Sequence, residues 1–264
     1  MDTLATKRRE RGEVTPADID PFLSISTEEL LYQLSSPKPS IRTCAATVLS
    51  SRKGTEIADC LCQQLKNEQK LYCKIAISNS LVNIGSLSVQ PLLALLGKIG
   101  RNQETGIPQK GFNKISYPLP RDIAARILCR MGGGILPEVF AFLENERQPI
   151  ELEQAIDVIG HIVYTSKLTI DSNILIQIAD KYSEALMVQF KIIRCFSGFA
   201  DDQTKHFLYK QLKSHDLGLQ FEAARSVVLS GLDLPVDHCK WPEEVNAFIK
   251  QLTKKSSGRK KPHR

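Results

Sequence analysis

The most reactive side chains of this sequence occur in two short runs, Cys-Leu-Cys at 60–62 and Asp-His-Cys at 237–239. Thiolates and imidazoles act as metal ligands and as nucleophiles. On a helix, residues two positions apart point about 200° away from each other, so Cys60 and Cys62 cannot hold one metal ion. No second Cys/His pair at zinc spacing accompanies Cys239. We therefore expect both runs to serve packing rather than metal binding.

A second candidate for chemistry is His161, which follows Asp157 by one helical turn. An imidazole beside a carboxylate could act as a general base, but no catalytic constellation stands out, and we favour a surface hydrogen bond. The glycines at 132–134 follow a helix end, which favours a C-cap and hinge over a phosphate-binding loop. The sequence therefore predicts no enzyme activity, no cofactor and no metal site.

The elements that carry these residues are organised by one recurring frame, small-small-x-x-Leu-x-x-Ile-Gly, which is clearest at 77–85. A Leu-rich helix precedes each copy, and the copies recur about every thirty residues, which indicates stacked helix pairs. The small residues let neighbouring helices approach closely, and Leu and Ile fill the groove beside them. The six copies begin at Ala45, Ile77, Ala124, Ala155, Ile192 and Ala223.

This frame resembles the HEAT-repeat family, and more closely its short bacterial repeats named after phycobilisome lyases. The resemblance implies an all-α fold, a right-handed α-solenoid (alpha-alpha superhelix) of about six helix pairs plus a C-terminal capping helix. Two departures are Phe196 and Phe199, which replace smaller aliphatic residues in the fifth frame. The residues that carry the resemblance are Arg42, Ala45, Ala46, Leu49, Lys74, Ile77, Leu81, Ile84, Gly85, Arg121, Ala124, Ala125, Leu128, Met131, Gly132, Ala223, Ala224, Val227 and Gly231.

The repeats predict a simple domain organisation. Residues 1–25 have mixed charge and few apolar residues, so we expect a weakly ordered N-terminal segment, with order beginning at a capping box at Ser26. The repeat array spans 26–253 and contains a long Gly- and Pro-bearing loop at 100–120, a length typical of functional or disordered loops. Trp241 opens the capping helix, and 254–264 form a basic, disordered tail.

Charge, apolar runs and cysteine content bear on where in the cell the protein is expected. The net charge is +6, and the tail alone holds six Lys and Arg residues without an acid. No apolar run approaches the roughly 20 residues that span a bilayer, and no signal peptide is evident. The seven cysteines show no disulfide-framework spacing. We therefore expect a cytoplasmic protein that does not bind membranes.

The frame also predicts a partner surface. In HEAT arrays the second helix of each pair lines the concave face, so residues that point away from the core there form a candidate groove. The groove begins polar and becomes basic toward the C-terminus, although Asp157 and Glu222 interrupt it. Its candidate residues are Asn79, Asn83, Arg126, Arg130, His161, Lys191, Arg194 and Arg225. Candidate contacts on the loop are Lys110, Phe112 and Tyr117.

Three functions are compatible with this pattern. The first is a non-enzymatic scaffold or adaptor that binds a protein partner through the concave face. The second is nucleic-acid binding through the basic groove and tail, since the HEAT-like alkylpurine DNA glycosylases share this architecture. We transfer no glycosylase activity, because the only tryptophan, Trp241, lies in the terminal cap. The third is a lyase-like subunit for a large ligand such as a tetrapyrrole. A plain solvated helix face is the alternative to any groove.

Overall fold

The computed structural model describes residues 3–52, 54–100, 102–108, 110, 112–233 and 242–257. Within these ranges all regular structure is helical and no strand occurs, which confirms the all-α prediction. The chain divides into two compact units, Met1–Ile99 and Gly100–Arg264, called unit 1 and unit 2 below. The division falls where the sequence predicts the long loop, so each unit is described by itself.

The N-terminal segment of unit 1 is helical where the sequence predicts weak order. Two helices and a 3-10 turn pack against the first frame helix. Polar contacts explain the difference, because the Asp18 carboxylate accepts hydrogen bonds from Thr15 N at 2.6 Å and from Arg9 Nη1 at 2.6 Å. Because polar side chains make these contacts, the segment has no apolar periodicity from which its helices could be predicted. The elements are α1 (Thr3–Glu10), α2 (Pro16–Ile19) and the turn Asp20–Phe22.

The rest of unit 1 contains the first two helix pairs. Ser26 is the N-cap of the helix Thr27–Gln33, as predicted, since Ser26 Oγ accepts a hydrogen bond from Glu29 N at 3.2 Å. The frame residues Ala45 and Ile77 are fully buried where the two frame helices, α4 and α6, pack on each other. The elements are α3 (Thr27–Gln33), α4 (Pro39–Leu49), α5 (Thr55–Asn67), α6 (Leu71–Ile84), the 3-10 turn Gly85–Ser88 and α7 (Val89–Leu93).

Unit 2 arranges its helices in two rows. The helices that carry the frames, α8, α10, α12 and α14, contact one another in succession and are called the frame row. Helices α9, α11 and α13 contact one another in the same order, and α15 packs on α14. The bounds are α8 (Ile123–Met131), α9 (Leu136–Glu144), α10 (Pro149–Ser166), α11 (Asn173–Lys181), α12 (Leu186–Cys195), α13 (Asp202–Gln211), α14 (Leu217–Ser230) and α15 (Glu243–Ser257).

The small residues of the frame explain the close approach of the frame-row helices. Ala155 and Ala223 have no exposed surface. A Cβ atom at Gly160 on α10 would lie 2.9 Å from the Cα atom of Cys195 on α12, closer than real Cβ contacts. Glycine is therefore required where the two helices meet.

The C-terminal predictions have different outcomes. The terminal helix α15 buries Val245, Ile249 and Leu252, as a helix that covers the end of a core does. Lys254 and Lys255 belong to α15 rather than to a disordered tail. Trp241, the run at 237–239 and the tail from 258 onward lie outside the described residues. In the part of the chain that is described, every helix is too short or too polar to cross a membrane.

Candidate functional site

The long loop of unit 2, residues 100–120, is called the insertion, and its described residues lie across the frame row. Its described residues contact α8, where Arg126 Nε donates to the Pro120 carbonyl at 2.5 Å. On α10, Tyr164 Oη donates to the Ile115 carbonyl at 3.0 Å. On α14, Arg225 donates through Nε to the Lys114 carbonyl at 2.8 Å. The insertion thus lies against three of the helices that the sequence predicts to line a groove.

Aromatic side chains hold the insertion against the helices. The Phe112 ring is stacked on Phe221 of α14 at a centroid distance of 5.6 Å. It also makes edge contacts with Phe190 of α12 and Phe248 of α15, each at 6.4 Å. Phe112 is only 9% exposed, so its ring is anchored in the unit rather than presented to a partner.

Tyr117 is the second aromatic anchor of the insertion. Its ring lies 5.9 Å from the His161 ring and 5.6 Å from the Tyr164 ring. Its hydroxyl sits directly over Gly160, where an added Cβ atom would overlap it. The absence of a side chain at Gly160 therefore permits two close contacts, that of α10 with α12 and that of α10 with Tyr117.

Acidic and basic side chains meet beneath the insertion. Lys191 Nζ pairs with Glu104 of the insertion, and its distance to Asp157 Oδ2 is 2.5 Å. Arg194 Nη1 lies 2.9 Å from Glu104 Oε2. The side chains of Lys191 and Arg194 are 2% and 6% exposed. Glu104 of the insertion and Asp157 of α10 together therefore neutralise the two buried cations of α12.

The neighbouring pair on α14 repeats this arrangement. Arg225 Nη1 lies 2.6 Å from Glu222 Oε1. Its Nη2 donates to the Ser116 carbonyl at 2.8 Å, in addition to the bond from Nε to the Lys114 carbonyl. A guanidinium that binds the carbonyl groups of two residues in one segment, here Lys114 and Ser116, fixes the position of that segment.

The electrostatics follow from burial and charge. Burial alone would raise the pKa of Glu104, but Arg194 and Lys191 outweigh it and hold the pKa at about 2. Glu153 of α10 behaves oppositely, because burial, with Asp157 and Glu104 nearby, raises its pKa to about 7 despite Lys191. Burial lowers the pKa of His161.

A cavity of about 430 Å³ lies between the insertion and the frame row. Its buried part, called the floor, includes Asp157, Arg194, Glu222 and Arg225, together with Glu104 and Tyr117. Its outer part, called the rim, consists of the basic residues Lys110, Lys114, Arg121 and Arg126, all exposed. The three floor carboxylates pair with Arg194, Arg225 and Lys191, a buried cation that does not line the cavity, so the floor together with Lys191 has no net formal charge. The rim carries four positive charges, and one of them, on Arg121, lies 4.0 Å from Glu104 Oε1.

Three buried polar atoms of the floor residues have no hydrogen-bond partner. They are Oδ1 of Asp157, Nε of Arg194 and Oη of Tyr117. Arg194 Nε lies 3.6 Å from Glu222 Oε1, which is too long for a good hydrogen bond. Buried polar atoms without partners are uncommon, and water, an ion or a ligand is one source of the missing hydrogen bond.

Unit 1 presents a different surface on its frame helix α6. Asn79 and Asn83 are both exposed and lie one helical turn apart. Their amides donate and accept hydrogen bonds, so they match the donor and acceptor of a peptide group. No described residue of the insertion belongs to this unit.

The structure separates the predicted site residues into three groups. Lys191, Arg194 and Arg225 are buried, so the expectation that they face an open groove is wrong. The physical reason is the insertion, which brings Glu104 and backbone carbonyls onto them. Phe112 and Tyr117 are buried with them, and His161 is half-buried. The exposed members are Asn79, Asn83, Lys110, Arg126 and Arg130.

Sequence reasoning missed Glu104 as the partner of two predicted groove residues. It treated Asp157 and Glu222 as interruptions of the basic stripe, whereas they are its counter-ions. The available signal was the near balance of acids and bases on adjacent turns of α10, α12 and α14. Isolated buried charges are too costly to leave unpaired, so such a balance points to a buried network.

The reactive residues follow the packing prediction only in part, because it holds for Cys62 and is wrong for Cys60. Cys60 is exposed and Cys62 is buried, on opposite sides of α5. Asp157 is buried and pairs with Lys191, so the expected surface hydrogen bond between Asp157 and His161 is wrong. Among the described residues, no group of three or more His, Cys, Asp or Glu side chains could hold a metal ion.

No protein-family model matches the chain, and no curated protein matches it either.

Proposed function

We propose that this protein is a non-enzymatic HEAT-like scaffold, a right-handed α-solenoid that binds a protein partner through the helices that carry its frames. Two features support the HEAT assignment, the frame itself and the contact of each frame-row helix with the next. Such repeats offer long faces for extended segments of other chains.

The observation that carries the proposal is that the frame row already binds a segment of chain without regular secondary structure, the insertion. The insertion is bound by a carboxylate on two cations, by carbonyl groups on Arg225, and by two buried aromatic rings. These are the contacts by which a partner peptide binds a helical surface. The frame helices therefore have the chemistry of a peptide-binding face.

In unit 1 the equivalent face is the proposed partner surface. Asn79 and Asn83 are separated by about 6 Å along α6, given a rise of about 1.5 Å per residue. Two residues of an extended peptide span about 6.6 Å. The two side chains therefore lie at the spacing of alternate peptide groups of one bound strand.

Nucleic-acid binding is the weaker alternative. Lys191, Arg194 and Arg225 are neutralised by Glu104, Asp157 and Glu222, so they provide no continuous track for phosphates. No contact described above favours a lyase-like subunit. We also propose a cytoplasmic, bacterial setting, which the resemblance implies and which suits the free thiols, among them Cys44 and Cys73.

The test is affinity capture from lysate with and without nuclease. The wild-type protein should retain a defined protein partner in both conditions, and the Asn79→Ala/Asn83→Ala variant should lose it. Gln63→Ala, which removes an exposed amide from the neighbouring helix α5, is the matched control and should retain the partner. Capture that nuclease abolishes, or that the double variant leaves unchanged, contradicts the proposal.

A further inference from the structure

We propose that the cavity beneath the insertion of unit 2 binds a small phosphate monoester with a hydroxylated body, the chemical class of a sugar phosphate. This site is separate from the proposed partner surface on α6, and either proposal can fail without the other. It rests on three independent properties of the cavity: its size, the charge of its rim and the unpartnered polar atoms of its floor.

The size suits a small organic ligand. Small-molecule sites occupy about 300–1,000 Å³. The cavity has a volume of about 430 Å³, and described residues of the insertion between Glu104 and Pro120 form one of its walls. The aromatic anchors Phe112 and Tyr117 hold that wall in place. The cavity is therefore a built feature of unit 2.

The charge of the rim selects an anion. Lys110, Lys114, Arg121 and Arg126 are exposed, and no exposed carboxylate is among the residues that line the cavity. Arg121 Nε lies 4.0 Å from Glu104 Oε1, but that carboxylate already binds two buried cations. A phosphate monoester carries a charge of about −1.5 to −2 near neutral pH. It matches four cations better than a single carboxylate does.

Arginine adds geometric preference to this charge. A guanidinium binds phosphate through two parallel hydrogen bonds, whereas an ammonium acts as a point charge. The Arg126 side chain is fixed at the rim because its Nε donates to the Pro120 carbonyl, an atom of the insertion itself. We therefore place the phosphate at the rim, near Arg126 and Arg121.

The floor selects the remainder of the ligand. Asp157 Oδ1 accepts a hydrogen bond, Arg194 Nε donates one, and Tyr117 Oη can do either. A hydroxyl group can donate to the carboxylate and accept from the guanidinium. Because the floor together with Lys191 has no net charge, it suits a neutral polar body rather than a second anionic group.

The experiment is isothermal titration calorimetry at fixed ionic strength with three probes: ribose 5-phosphate, inorganic phosphate and ribose. Ribose 5-phosphate should bind at least about tenfold more tightly than either fragment, a difference of about 1.4 kcal/mol. No binding of ribose 5-phosphate, or equal binding of inorganic phosphate, overturns the proposal. The latter result would indicate an anion site that does not use the floor.

Variants assign the two halves of the site. Lys110→Gln/Lys114→Gln removes two rim charges while leaving the Lys114 carbonyl that Arg225 binds, and it should weaken ribose 5-phosphate by about tenfold. The matched control Lys210→Gln/Lys250→Gln removes two exposed charges from α13 and α15 and should change affinity less than twofold. Equal losses in both variants would overturn the rim assignment, because they would reflect net charge alone.

The floor is tested by a change that preserves shape. Asp157→Asn should weaken ribose 5-phosphate and leave the affinity for inorganic phosphate unchanged. Tyr117→Phe removes only a hydroxyl that has no partner and serves as the second floor variant if Asp157→Asn unfolds the protein. Unchanged sugar phosphate affinity in a folded floor variant contradicts the proposal. Tighter binding of a single-stranded oligonucleotide than of the sugar phosphate would also overturn it and assign the rim to nucleic acid.

Discussion

The frame helices of the two units differ in what lies on the face away from the core. In unit 1, Asn79 and Asn83 are uncharged and exposed on α6. In unit 2, Arg194 and Arg225 occupy the frame position that Asn79 occupies in unit 1, and both are buried under the insertion. The repeat therefore sets the direction of a side chain. Its exposure depends on what the rest of the chain places on top of it.

The largest expected effect tests the ionic contact that only the insertion supplies. Glu104→Gln leaves Arg194 and Lys191 buried with one fewer counter-charge, so we expect a loss of about 3 kcal/mol in the free energy of unfolding at pH 7. Glu13→Gln in unit 1 removes a carboxylate 3.8 Å from the half-exposed Arg8 and should cost less than about 1 kcal/mol. Urea denaturation measures both.

The same residue predicts a pH dependence with a defined sign. The pKa of Glu104 is lowered from 4.5 to about 2 in the folded protein. Its contribution is therefore present above pH 4.5 and is lost as the pH falls toward 2. The Glu104→Gln deficit should shrink across this window. A deficit that is independent of pH, or absent at pH 7, would mean that the insertion is not held by this carboxylate.

The second effect tests the close fit between the insertion and α10. Gly160→Ala places a methyl group against the Tyr117 hydroxyl and against the backbone at Cys195, so we expect a loss of about 2 kcal/mol. Adding Tyr117→Phe removes the nearest clashing atom and should recover part of that loss. Thermal unfolding followed by circular dichroism measures both variants. A neutral Gly160→Ala would indicate that the insertion lies less closely on α10.

The third effect compares two buried glutamates, one in each unit. In unit 1, burial is outweighed by Arg42 and by the Lys70 amide, and the pKa of Glu68 falls to about 2. In unit 2, burial raises the pKa of Glu153 to about 7. An acid with a raised pKa in the folded state binds more protons there, so stability falls as the pH rises from 4.5 to 7.

The two Gln variants should therefore have opposite effects at pH 8. Glu153→Gln should stabilise the protein by about 1 kcal/mol, because it removes a buried charge that lacks a sufficient partner. Glu68→Gln should destabilise it, since Arg42 loses a carboxylate that binds it at 2.8 Å. Melting temperatures at pH 5 and pH 8 distinguish the two. The same direction of change for both variants would contradict the difference between the units.

The sequence predicted contacts between residues that are near in the chain better than contacts between residues that are far apart. The frame predicted the buried positions, such as Ala45 and Ile77, because a helical period depends on neighbouring residues. The N-cap at Ser26 was predictable for the same reason. The pairing of Glu104 with Arg194 was not, since 90 residues separate them and no periodic pattern connects a loop with a helix.

The smallest expected effect tests whether the face of unit 1 is as open as its composition suggests. Asn79→Ala/Asn83→Ala changes two exposed side chains on α6, so it should alter the free energy of unfolding by no more than about 0.5 kcal/mol per site. Arg225→Gln, at the frame position of Asn79, should cost about 2 kcal/mol or more because two carbonyls and Glu222 lose a charged partner. If the asparagine variant cost as much, the face of unit 1 would be a structural contact like that of unit 2, and its proposed role in partner binding would lose its basis.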